Sequence, residues 1–146
     1  MATASSAIRT TEVTMAPLIL IAEDDPLSLK LMRDVLGAAG YRTVEATSGV
    51  EAIERAASDA PDAIIMDIGL PGLDGVEATR QIKAAREVTV IAVTAYAMPG
   101  DEERMRLAGS DACFTKPLRF SEFLALLREL VPLDPETQPA ESGSEK

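Results

Sequence analysis

The chain has 146 residues, 47% apolar and 3% aromatic, with a formal charge of −10, one cysteine and no histidine. That length suits one domain with a single core, while the acidity argues against binding the nucleic-acid backbone and the few aromatics against a surface that stacks bases or sugars. Without imidazole the chain has no histidine to serve as base, metal ligand or phosphoryl carrier, so any phosphohistidine must come from a partner.

Residues 1–16 are small, polar and near neutral, with Arg9 against Glu12, and read as a disordered lead-in without the layout of a signal peptide. A folded domain is expected over 17–131. Leu18–Ala22 is a continuous apolar run, as a strand buried on both faces should be. Asp25-Pro26 then supplies an N-cap and a proline at the first helical position. Leu29, Met32, Val35, Leu36 and Ala39 form one helical stripe, which Gly40 stops. Residues 43–46 make a weaker strand, and Ser48 with Glu51 forms a capping box for a second helix striped by Ile53, Ala56 and Ala57.

Residues 63–66 are a third strand, Asp74 with Glu77 caps a third helix, and 88–93 is a fourth strand. A short charged helix over 99–108 is closed by Gly109, and Ala112–Thr115 is a fifth strand containing the lone Cys113. Phe120, Phe123, Leu124, Leu127, Leu130 and Val131 stripe the last helix. Residues 132–146 carry three prolines among Glu, Ser, Thr and Gln and read as a disordered acidic tail. Strands alternating with helices across short connections imply right-handed crossovers and a parallel sheet covered on both faces. A single cysteine excludes an intramolecular disulfide framework, and no apolar run approaches membrane-spanning length, so a cytoplasmic location is expected.

The chemistry sits at the C-terminal ends of the strands: Glu23 and Asp24 after the first, Asp67 after the third, Thr94 after the fourth and Lys116 after the fifth. In a parallel α/β sheet those ends converge on the edge where ligands bind. Asp67, followed by a loop with Gly69, Pro71 and Gly72, can attack phosphorus to form an acyl phosphate, though alone it reads more readily as a solvated loop-start carboxylate. Glu23 and Asp24 lie on the strand expected beside it. Two like charges about 4 Å apart repel by roughly 4 kcal/mol at an effective dielectric near 20, so the cluster calls for a cation.

Oxygen ligands without His or Cys suit Mg²⁺, with the Gly69 carbonyl a further candidate ligand. Asp25 takes the helix cap, because Pro26 follows it, and leaves Glu23 and Asp24 for the metal. Lys116 precedes Pro117, which biases it to an extended backbone. Its ammonium can pair with Asp67 and then with a phosphoryl oxygen; taken singly it is an ordinary surface lysine. The Thr94 hydroxyl is either a strand-end hydrogen bond or a phosphoryl contact.

Taken together, Glu23-Asp24-Asp25-Pro26, Met66-Asp67-Ile68-Gly69-Leu70-Pro71-Gly72-Leu73-Asp74-Gly75, Thr94-Ala95-Tyr96 and Lys116-Pro117 resemble the response-regulator receiver domain of two-component signalling. The resemblance runs from about Leu18 to Val131. It implies a flavodoxin-like, doubly wound five-stranded parallel sheet in the order 2-1-3-4-5 with five helices. By the same resemblance Asp67 is the phosphoacceptor, and Glu23, Asp24, Asp67 and the Gly69 carbonyl bind Mg²⁺. Thr94 and Lys116 hold the phosphoryl group, and the Lys116–Pro117 bond is cis. The donor is a histidine kinase or histidine phosphotransfer protein. The output is a protein target met through the loop after the fourth strand, the fifth strand and the last helix. Residues 93–104 are similar to stand-alone receivers of the cell-cycle type and to receivers of hybrid kinases, so a single-domain response regulator is expected.

Two features depart from the family pattern. Cys113 stands where receivers usually carry a rotating Tyr or Phe, and Phe114 beside it must face the other side of the sheet. Switching is then expected to rest more on Thr94 and the loop 95–100, with Cys113 a small apolar filler. The last helix also lacks a favoured N-cap at Arg119. Gly69 and Tyr96 flank the path of a hydrolytic water, and the bulk of Tyr96 is expected to slow hydrolysis. An aspartyl phosphatase of the haloacid-dehalogenase type is a competing reading, but it wants a second acid two residues after the nucleophile, where Gly69 stands. A degenerate receiver that binds its partner without phosphorylation is the other alternative.

Overall fold

Strand and helix alternate five times along the chain, and each boundary has a local cause. The computed structural model describes residues 16–95 and 99–133. The order is β1 (Leu18–Ala22), α1 (Pro26–Ala39), β2 (Arg42–Ala46), α2 (Gly49–Asp59), β3 (Ala63–Asp67), α3 (Gly75–Ala85), β4 (Thr89–Thr94), α4 (Asp101–Ala108), β5 (Ala112–Thr115) and α5 (Phe120–Leu130). The side-chain oxygen of Asp25 accepts from the Ser28 N–H at 2.8 Å and opens α1, while Gly40, at φ 110°, closes it in the left-handed conformation that suits glycine. Ser48 caps α2 through the Glu51 N–H and Asp74 caps α3 through the Glu77 N–H. In the first of these the reciprocal bond differs from a capping box, because Glu51 accepts from the Thr47 N–H one residue earlier than Ser48. Arg119 makes no side-chain cap on α5, in keeping with the sequence.

The five strands form one parallel sheet in the order β2-β1-β3-β4-β5. Alternate residues feed two apolar layers, as the two-residue period of a strand requires. Ile19, Ile21, Ile65, Ile91 and Val93 face α1 and α5 and pack with Leu36, Phe123 and Leu127. Leu20, Ala22, Ile64, Met66, Val90 and Ala92 face the other way, towards Ala52 and Ala56 of α2, Ala78 and Ile82 of α3, and Met105 of α4. Phe123 and Leu127 are fully buried, and each such side chain contributes roughly 1.5–3 kcal/mol of transfer free energy.

Several boundaries shift from those read in the sequence. β3 includes Asp67, and β4 runs one residue later than expected, because Asp67 pairs in register with Val93 and Thr94 with Thr115. β2 begins at Arg42, opposite Leu18. α4 begins at Asp101; Pro99 and Gly100 form a turn before it, with Gly100 at φ 90°. Leu133 is buried in the α1–α5 layer, so packing continues beyond Val131, the expected domain end. The expected lead-in up to residue 15, the tail from 134 onward and Tyr96 lie outside the described residues. Among the described residues no helix is long and apolar enough to cross a membrane.

Candidate functional site

Register alone brings four strand ends to one edge. Ala22 lies opposite Ala46 and Met66, so Glu23 leaves β1 beside Asp67 at the end of β3. The Glu23 N–H continues the ladder by donating to the Ala46 carbonyl at 3.0 Å. One carboxylate oxygen each from Glu23, Asp24 and Asp67 lie within 4.8 Å of one another. Glu23 and Asp67 are buried while Asp24 is exposed.

Lys116 enters from the far strand. Its backbone N–H donates to the Thr94 carbonyl at 2.8 Å, its bond to Pro117 is cis, and its ammonium reaches back over the sheet edge. Nζ donates to Glu23 Oε1 at 2.8 Å and lies 3.6 Å from Asp67 Oδ2. The second Glu23 oxygen accepts from the Asp25 N–H at 3.0 Å, and Asp67 Oδ1 accepts from the Gly69 N–H at 3.0 Å. Asp67 is thus held on both sides, by a glycine amide and an ammonium.

Glu23 and Lys116 are electrostatically tied. Burial pushes the Glu23 carboxyl above its ordinary range, and the Asp67 charge adds to this, against the lowering effect of the Lys116 and Asp25 hydrogen bonds and the Lys116 charge. Burial works against the Lys116 charge, but the Glu23 hydrogen bond and the Asp67 and Glu23 charges more than offset it, and its pKa is raised. Three carboxylates against one ammonium leave this edge short of positive charge. The donor set is oxygen only, without His or Cys, and so fits a hard divalent cation.

The structure therefore brings together Glu23, Asp24, Asp67 and Lys116, with Gly69 present through its N–H and buried Thr94 at the end of the adjacent strand. Asp25 is occupied as the α1 cap, and the backbone and side chain of Ser28 hold its pKa down. Sequence reasoning paired Lys116 with Asp67, whereas its shorter contact is to Glu23. It also missed an apolar cleft of about 460 Å³ beside the carboxylates, lined by Leu31, Met32, Leu118 and Phe120 together with Glu23 and Lys116. The available signal was Leu31, which lies off the core stripe of α1 and is exposed.

Cys113 and Phe114 face opposite layers, as alternation demands. Cys113 is half-buried against the α2–α4 layer, and burial, reinforced by the Glu102 and Asp101 charges, raises its thiol pKa. Phe114 packs edge-to-face on Phe123 with ring centroids 5.3 Å apart, so no aromatic occupies the position of Cys113.

Known proteins share both the sequence pattern and the architecture. Residues 19–128 match the response regulator receiver domain. The polar-differentiation response regulator DivK of Brucella ovis is 43% identical over 117 residues, covering 78% of this chain and 95% of DivK. The receiver domain of sensor histidine kinase PA1611 from Pseudomonas aeruginosa, solved with a magnesium ion coordinated in its active-site cleft, superposes with a TM-score of 0.73 at 36% identity. That match covers 79% of this chain and 97% of the other. A CheY-like receiver domain from Methanospirillum hungatei gives a TM-score of 0.76 at 27% identity, covering 79% and 93% of the two chains. With its motifs, its strand order and its relatives in agreement, the chain belongs to the response regulator receiver domain family.

Proposed function

We propose that this response regulator accepts a phosphoryl group on Asp67 from a phosphohistidine of a histidine kinase or histidine phosphotransfer protein. An Asp67 carboxylate oxygen attacks phosphorus as the N–P bond to the donor imidazole breaks; the ring nitrogen keeps the bonding pair, and the product is an acyl phosphate. Glu23, Asp24, Asp67 and the Gly69 carbonyl would hold Mg²⁺, which supplies charge neutralisation for the transferring group. Lys116, now on Glu23 and near Asp67, pairs with a phosphoryl oxygen, and the Thr94 hydroxyl takes another. The same residues assist later hydrolysis of the acyl phosphate.

The observation that carries this reading is the convergence of three carboxylates and Lys116 at the C-terminal sheet edge beside Thr94. Engagement of Thr94 pulls on the β4–α4 connection, and the surface of α4, β5 and α5 then changes its affinity for a protein target in the cytoplasm.

The test is intact-protein mass after incubation with acetyl phosphate, with and without Mg²⁺, on wild type and Asp67→Asn. One added phosphoryl group that needs both Mg²⁺ and Asp67 is expected. The same adduct on Asp67→Asn would refute the assignment.

A further inference from the structure

α4 buries only Met105 and Ala108, both in its C-terminal half, and Gly109 closes that end by donating to the Arg106 and Met105 carbonyls. Its first turn has no such anchor. It carries Asp101, Glu102 and Glu103, and its N-cap, Gly100, offers no side chain. The first turn is held instead by Arg104. The guanidinium lies 3.2 Å from Asp101 Oδ1 and 3.6 Å from Asp74 Oδ2. Among the described residues this is the one ion pair that joins α4 to another element.

Asp74 is not a free surface carboxylate. Its other oxygen accepts from the Glu77 N–H at 2.9 Å as the cap of α3. The next residue, Gly75, packs so tightly on the end of β3 that a Cβ there would lie 2.3 Å from the Asp67 carbonyl oxygen. Asp74 is therefore fixed relative to Asp67, and through it Arg104 ties the first turn of α4 to the phosphorylation loop.

We infer that Arg104 is a positioning residue: its ion pair with Asp74 is a latch that keeps α4 in its resting place and sets how readily the switch leaves that state. The inference rests on the reading of Asp67 as phosphoacceptor. Both side chains are about half exposed, so the latch shifts the resting equilibrium by up to about fivefold. That is enough to move the population competent for phosphorylation without abolishing the switch.

The test is the rate of Asp67 labelling by acetyl phosphate with Mg²⁺ in the full chain, for wild type, Arg104→Gln, Asp74→Asn and the double variant. Asn at 74 keeps a capping oxygen and removes the charge. Each single change is expected to speed labelling by about two- to fivefold, with no further gain in the double variant. Added salt should narrow the difference in rate between wild type and the variants, because it screens the ion pair that only wild type has. Amide exchange at Arg104, whose N–H donates to the Gly100 carbonyl, should quicken in the same variants. Additive effects, or unchanged labelling and exchange in both single variants, overturn the latch. If Asp74→Asn does not fold, Arg104→Gln against Arg104→Lys decides, since lysine keeps the charge and should restore the slow rate. Absence of any wild-type adduct refutes the phosphoacceptor reading instead, and the exchange measurement still tests the latch.

Discussion

Lys116 occupies the point of greatest electrostatic leverage, because it is the ammonium partner of both buried carboxylates. Removing it leaves Glu23 and Asp67 with one backbone N–H each and no positive charge between them. Lys116→Met is expected to lower stability by roughly 1–3 kcal/mol at neutral pH, measured by urea denaturation. Mg²⁺ should restore part of that loss, since a ligand that binds only the folded state stabilises it by mass action; Asp24→Ala should blunt the Mg²⁺ effect.

Tyr41 is a second residue with a defined outcome. Its hydroxyl donates to the Val131 carbonyl at 2.8 Å and ties the start of β2 to the end of α5. Burial raises its pKa above the ordinary 10.0. A raised folded-state pKa means that the stabilisation is complete below about pH 10 and is lost as pH rises through the raised value. Tyr41→Phe should therefore cost about 1 kcal/mol at neutral pH and remove that part of the alkaline loss in a pH series of denaturation curves.

Among the elements, α3 carries both a defect and a constraint. Thr79 is fully buried, and its hydroxyl has no hydrogen-bond partner among the described residues. Thr79→Val keeps the shape and removes an unpaired polar group, so a gain of about 1 kcal/mol in unfolding free energy is expected. Gly75 is the opposite case. Because an added methyl would meet the Asp67 carbonyl at 2.3 Å and the Ile68 Cα at 2.9 Å, Gly75→Ala must push α3 away from the loop that follows Asp67. It should cost about 1–3 kcal/mol and slow acetyl phosphate labelling, read by thermal melting and intact mass. The caps at Asp25, Ser48 and Asp74 were legible in the sequence because each bond spans three residues. The start of α4 was not, since Gly100 offers no capping side chain and the charged first turn, Asp101-Glu102-Glu103, carries no apolar stripe to mark it.

For the whole molecule, the two-layer arrangement explains why Cys113 and Phe114 cannot exchange roles. Cys113 belongs to the layer covered by α2, α3 and α4, and Phe114 to the one covered by α1 and α5. Cys113→Tyr is a whole-molecule test of readout, as it returns an aromatic to the α4 side. If Thr94 and the connection after it carry switching alone, partner affinity on phosphorylation should be unchanged in that variant; a gain in response would show that the missing aromatic limits the switch.

The sequence by itself determined the alternation of elements, the parallel doubly covered sheet and the placing of Glu23, Asp24, Asp67, Thr94 and Lys116 at one edge of it. Periodicity, caps and strand-end chemistry are written within a few residues of each other. Only the tertiary structure decided that Lys116 binds Glu23 more closely than Asp67, that Arg104 reaches Asp74, and that an apolar cleft opens beside the carboxylates. These contacts join residues as much as 93 positions apart. They depend on strand register and on the angle at which each helix returns to the sheet, quantities that emerge only when both faces of the sheet are packed at once.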